Sequence, residues 1–149
     1  MKIKSWGQYL PTILIIIFLV FGASNNFSLI EEVESRIYLP QIWLRTTVAF
    51  FYYGGVGVLL GLNHFTIEMK KKGVWKANWP KLIVLGLPSL FYSFSLAIAT
   101  YGGPFFGRMS YILASQLINN YWDVAYLFHL VLGHTIITGF YKYDATHHE

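Results

Sequence analysis

"QLINNYWDVAYLFHLVLGHTIITG", residues 116–139, decides whether this chain crosses a membrane three times or four. The stretch is apolar enough to enter a bilayer, yet it carries two asparagines, one aspartate and two histidines. A transmembrane helix needs about 20 mostly apolar residues to cross about 30 Å of hydrocarbon. This stretch qualifies if its one formal charge, Asp123, lies near an interface or in a protected position.

Three further blocks have no charge at all: Ser5 to Ile30, Thr46 to Ile67 and Leu82 to Gly107. Only 12% of the 149 residues are charged, against about 25% in soluble domains. Strands of a membrane barrel would alternate apolar and polar residues, and "TILIIIFLVF" does not. The sequence therefore predicts an all-α polytopic membrane protein, in which a single domain over 1–149 forms a bundle of four transmembrane helices. The predicted spans are 8–24, 44–64, 81–101 and 120–141.

Basic residues predict the orientation, because short cytoplasmic loops are enriched in lysine and arginine. With four spans, all eight lysines fall on one side and all three arginines on the other. We therefore expect an integral protein of a bacterial plasma membrane with both termini cytoplasmic. The 25–43 and 102–110 loops would face outward. Within the first of them, residues 28–38 have the pattern of a short amphipathic helix at the interface, ended by Pro40.

The loop between the second and third spans is basic and aromatic, as segments at an anionic lipid surface are. The residues predicted to lie at the membrane surface are Lys70, Lys71, Lys72, Trp75, Lys76 and Trp79. The bilayer is thus the first expected partner. The net charge of +4 follows from this bias alone, so we expect no nucleic-acid partner.

Small residues in the second span predict close packing of helices. Gly54, Gly57 and Gly61 recur every three or four residues, so they share a helix face. In the third span, Pro88 predicts a bend.

Polar residues in the fourth span share a stripe about 100° wide when they are placed on a helix. The set comprises Gln116, Asn119, Asn120, Asp123, His134 and Thr138, whereas His129 falls on a different face. The stripe should avoid lipid. Three interpretations stay open: hydrogen bonds between helices, a proton or ion path, and a recognition face for another membrane protein.

The sequence shows few signs of metal or covalent chemistry. His129 and His134 are five residues apart, whereas a helical metal pair has a spacing of four, and the chain has no cysteine. We predict no metal site, no catalytic residue and no cofactor, with a haem between His64 and His134 as the alternative.

The first functional hypothesis is a non-catalytic protein that acts through helix packing, as an accessory subunit of a membrane complex or as a homo-oligomer. Its partner would be another membrane protein or a second copy. The second is a small transporter or channel with a polar path along the fourth helix. The third is a lipid-modifying enzyme with Asp123, His129 or His134 as acid or base.

Overall fold

The computed structural model describes residues 10–38, 40–115 and 121–143. The chain is mostly helical (86%). Three helices are long and apolar enough to cross a membrane: Pro11–Ile37, Ile42–Lys70 and Trp79–Tyr101, with 27, 29 and 23 residues. The stretch predicted as a fourth span contains a shorter apolar helix, Asp123–Thr138. A membrane-spanning helical protein is therefore supported, whereas a bundle of four full spans is not confirmed.

Among the described residues, five helices and two strands make up the fold. In chain order they are α1 (Leu10–Ile37), α2 (Ile42–Lys70), β1 (Val74–Ala77), α3 (Trp79–Tyr101), α4 (Gly103–Ser115), α5 (Tyr121–Thr138) and β2 (Phe140–Tyr143).

The first span and the expected interfacial helix form one continuous helix, α1. Polar side chains after the apolar run bond carbonyls one turn earlier in the same helix. Asn26 Nδ2 donates to the Gly22 carbonyl at 2.9 Å, and Ser28 Oγ donates to the Ser24 carbonyl at 3.1 Å. The segment 28–38 is therefore not a separate element, and the helix ends at Ile37, before Pro40.

Helices α2 and α3 each contain a π-helical turn, at Phe50–Gly54 and at Leu82–Gly86. The second turn has a clear cause in the sequence. A proline ring in a regular helix clashes with the carbonyl four residues earlier, which for Pro88 is that of Val84. That carbonyl lies inside the wider π turn, where helices commonly kink.

Helix α5 packs between α2 and α3. The residues in contact show in which direction each of these helices runs relative to α5. Gly57 lies against Leu130 and Gly61 lies against Ile137, so α2 and α5 are parallel. In contrast, α3 runs antiparallel to α5, because Gly86 faces Thr135 whereas Tyr92 stacks on Phe128.

The contact between α2 and α5 is close enough to exclude side chains. A Cβ atom on Gly57 would stand 2.0 Å from the Leu130 carbonyl oxygen. A Cβ atom on Gly133 would stand 2.0 Å from the Gly54 carbonyl oxygen. Only glycine allows backbones to approach this closely in lipid.

Two regions differ from the expectation of helices joined by loops. Strands β1 and β2 form an antiparallel pair in which Trp75 faces Lys142 and Lys76 faces Tyr141. The expected outward loop 102–110 is also largely helical, since α4 begins at Gly103, whose φ of 74° suits glycine. Helix α4 meets the end of α3 through small residues, with Gly107 against the Ala99 carbonyl.

We expect Gly57→Ala to lower the thermal unfolding midpoint in detergent, at a cost of about 1–3 kcal/mol, because the α2 and α5 backbones must separate. Gly55→Ala is the matched control. Its Cβ would meet only Leu19 Cδ1, at an ordinary 3.7 Å, and alanine favours a helix over glycine by up to about 1 kcal/mol. A Gly57→Ala midpoint equal to that of the control would contradict this contact.

Candidate functional site

His129 lies at the middle of α5 and is fully buried. Its Nδ1 is 2.7 Å from the Ala125 carbonyl oxygen. Because a carbonyl only accepts, Nδ1 must carry the proton in this contact. In the neutral ring, Nε2 is then an acceptor, and it has no hydrogen-bond partner among the described residues.

Aromatic rings enclose His129. The ring centroids of Phe50 and Phe94 lie 6.2 Å and 5.7 Å from its own, and these two phenylalanines contact each other at 5.9 Å. The His129 carbonyl lies 3.6 Å from a Cβ built on Gly54, which is near the middle of α2. In a bilayer crossed by α2, this position would lie near mid-depth, where a charge costs most.

Three hydroxyl groups are buried beside this histidine or along the same helix. Thr46 is one turn before Phe50, Ser93 adjoins Phe94, and Thr135 lies on α5. None of the three side-chain oxygens has a hydrogen-bond partner within the described part of the chain. An unpartnered buried polar atom costs about 1–3 kcal/mol, and internal water usually satisfies such atoms. These three oxygens are therefore groups that would need a water molecule or another partner to be satisfied.

The predicted polar stripe is only partly brought together. Gln116, Asn119 and Asn120 lie outside the described residues. Asp123 is exposed, His134 is half-buried and Thr138 is buried. The Thr138 hydroxyl donates to the His134 carbonyl at 2.7 Å and accepts from Lys81 Nζ at 2.7 Å, so its bonding is complete.

The lysine-rich end of the molecule is organised by Glu68, which is buried at 4% exposure. One of its carboxylate oxygens pairs with Lys71 Nζ, and the other accepts from the Lys142 backbone N–H at 2.9 Å. Lys142 Nζ in turn donates to the Lys71 carbonyl at 2.9 Å. The carboxylate therefore ties α2 to β2. The six residues predicted to lie at the membrane surface are all exposed at this end.

Aromatic and acidic groups lie toward the opposite end. Tyr53, in the half of α2 away from the lysines, stacks on Tyr126 at 4.5 Å, and Phe27 stacks on Tyr126 at 5.3 Å. At that end itself, Arg45 pairs with Glu34 at 3.2 Å and tethers the end of α1 to the start of α2. The lysine and acidic clusters therefore lie at opposite ends of the helices.

The haem alternative between His64 and His134 stays a prediction. Gly57 is level with the His134 backbone, and His64 lies seven residues further along α2, which is about 10 Å of helix rise. In the described residues, no group of three or more His, Cys, Asp or Glu side chains is arranged to hold a metal ion.

The polar stripe predicted from the sequence excludes His129. In the structure, His129 is nevertheless the most deeply buried polar side chain of α5 among the described residues. One signal in the sequence points to it. Ala125 and Gly133 stand four residues before and after it, so small residues flank it on one helix face. Small residues are typical of close packing in membranes.

No family model, no curated protein and no solved structure matches this chain.

We expect Glu68→Gln to loosen the strand pair, because a neutral amide holds Lys71 and the Lys142 amide less strongly than a carboxylate. Limited trypsin digestion in detergent should then cleave several-fold faster at the basic turn after α2. Glu32→Gln is the control, since its pair with Arg36 is solvent-exposed and contributes little. Equal cleavage rates in the two variants would contradict the role given to Glu68.

Proposed function

We propose that the protein is a non-catalytic accessory subunit of a membrane complex that acts by packing its helices against a partner. Much of its spanning surface is free for such contacts. In the most apolar stretches of α1, α2 and α3, 11%, 28% and 22% of the residues are buried within the chain. Lipid tails can cover such a surface as well as a protein can, so exposure alone does not demand a partner.

The observation that carries the proposal is a groove of about 730 Å³ along α3. Its lining is apolar or aromatic throughout: Trp43, Ile83, Leu87, Pro88, Leu90, Phe91, Tyr92, Phe94 and Ile98. From Ile83 to Ile98 the groove follows about 22 Å of helix, most of the hydrocarbon thickness. The π turn and Pro88 lie within it, where a bent helix leaves a concave face.

A groove of this length and chemistry suits a transmembrane helix, by the same helix-in-groove packing that soluble proteins use. The partner helix belongs to another membrane protein in this proposal, and a second copy of the chain is the alternative occupant. The lipid-modifying alternative gains no support from the groove, because that activity needs a polar pocket near an interface.

The exposed lysines and tryptophans at the strand pair support a cytoplasmic position for that end. Lysine attracts anionic headgroups there, and tryptophan prefers the headgroup level. Both termini would share this side, in the plasma membrane of a bacterium.

We expect Leu87→Trp to reduce recovery of the partner when the protein is purified in mild detergent, because the larger ring fills the groove. Val84→Trp is the matched control, since Val84 is exposed on the same helix and does not line the groove. Quantitative mass spectrometry of the purified complexes is the measurement. A partner retained equally by both variants would argue against this groove as the interface.

The orientation has an independent test, which the absence of cysteine makes simple. A cysteine at Lys72 should react in intact cells only with a membrane-permeant maleimide. A cysteine at the exposed Ser35 should also react with an impermeant one. The reverse pattern would invert the proposed topology.

A further inference from the structure

Titratable groups and unpartnered hydroxyls follow α5 from one end of the molecule to the other. We propose that this row, centred on His129, conducts protons through the interior of the chain. The proposal goes beyond the role of an accessory subunit, because it gives the chain an activity of its own. It rests on His129 and the buried hydroxyl groups of the described structure rather than on the groove.

The outer half of the row begins at Asp123, which is exposed at the start of α5. Tyr126 follows after one turn and stacks on Tyr53, and His129 follows after another turn. Successive members of this half are three residues apart, which is about 4.5 Å of helix rise. The charged groups facing this half from α1 and α2 are Glu31, Glu34 and Arg45.

At the centre, His129 has one ring nitrogen held and the other without a hydrogen-bond partner among the described residues. The Ala125 carbonyl holds Nδ1–H, so Nε2 is the atom that can take up a proton. Ser93 and Thr46 are buried on α3 and α2, the helices that contribute Phe94 and Phe50, and their hydroxyl oxygens have no hydrogen-bond partner among the described residues. Histidine is the side chain whose charge changes most readily near neutral pH.

The inner half leads from Thr135 to His134 and then to His64 and Glu68. Thr135 Oγ1 and His64 Nε2 are buried and have no hydrogen-bond partner among the residues the structure describes. Thr138 is not a relay, since its proton is held by the His134 carbonyl while Lys81 occupies its oxygen. The positive charge of Lys81 directs the exit toward Glu68, whose carboxylate faces Lys71 and Lys142.

Each step of the proposed transfer is balanced. Hydronium on the outer side gives one proton to Nε2 of His129 and becomes water, and the ring becomes an imidazolium whose Nδ1–H stays hydrogen-bonded to the Ala125 carbonyl. The proton then leaves Nε2 for a water molecule on the inner side, which becomes hydronium, and the neutral ring returns. No bond between heavy atoms changes, nothing is oxidised or reduced, and one positive charge moves. A single file of water is sufficient, so a wide channel is not required.

The test uses the purified full-length chain in liposomes of phosphatidylcholine and phosphatidylglycerol that enclose a pH-sensitive dye. Valinomycin and potassium hold the membrane potential at zero while a pH gradient is imposed. Wild-type vesicles should acidify faster than protein-free vesicles. His129→Gln keeps a polar side chain of similar size but cannot carry the proton, so its rate should fall about tenfold or more.

Tyr111→Phe is the control, since Tyr111 is exposed on α4 and lies away from the row. It should conduct as the wild type does. Ser93→Ala leaves His129 in place and removes one water-binding hydroxyl, so its rate should fall several-fold. This variant keeps the test decisive if His129→Gln does not fold, as judged by gel filtration and circular dichroism.

Wild-type vesicles that acidify no faster than protein-free ones would overturn the proposal. Wild-type rates in a folded His129→Gln variant would also overturn it. If that variant does not fold, an unchanged rate in Ser93→Ala has the same consequence.

Discussion

The backbone contact between α2 and α5 is the constraint on which the rest of the structure depends. At Gly57 and Gly133 the two helices leave no room even for a methyl group. Apolar side chains gain little by leaving lipid for one another, so close van der Waals packing must hold such helices together. This contact fixes how α5 is rotated and therefore which of its side chains point at α3.

The rotation of α5 explains why a histidine lies at the centre of an apolar interior. With Gly133 against α2, the residue one turn earlier, His129, meets the rings of Phe50 and Phe94. Nδ1 of His129 donates to the Ala125 carbonyl, whereas Nε2 has no hydrogen-bond partner among the described residues. The close packing of α2 on α5 and the lack of a described partner for Nε2 of His129 thus arise from the same helix contact.

The two ends of the molecule restrain these helices differently. At the lysine-rich end, the buried carboxylate of Glu68 links α2 to β2, and β2 pairs with the strand that precedes α3. At the other end, Arg45 and the stacked rings of Tyr53 and Tyr126 link α1, α2 and α5. Between these ends, α3 is free on the side that carries the apolar groove. Any partner helix would therefore meet a framework that is already held at both ends.

Composition and periodicity predicted the membrane class, three helices long enough to span and the separation of lysines from arginines, whereas the fourth full span is not confirmed. Each of these follows from how a single segment partitions between water and lipid, which depends on that segment alone. The glycine spacing likewise indicated which face of α2 would approach another helix. The continuity of α1, the helix α4 and the strand pair were not predicted. Each depends on bonds between residues that local pattern does not connect, such as Glu68 with Lys142.

The same distinction applies to the site. The sequence predicted a polar stripe in the fourth segment. That prediction assumes that a helix buries only one of its faces. Helix α5 has neighbours on two sides, α2 and α3, and this is why His129 is buried although it lies off the stripe. Residue types and their spacing predicted that an apolar helix carries polar groups. Only tertiary structure decided which of them is enclosed, because burial depends on the rotation of one helix against two others.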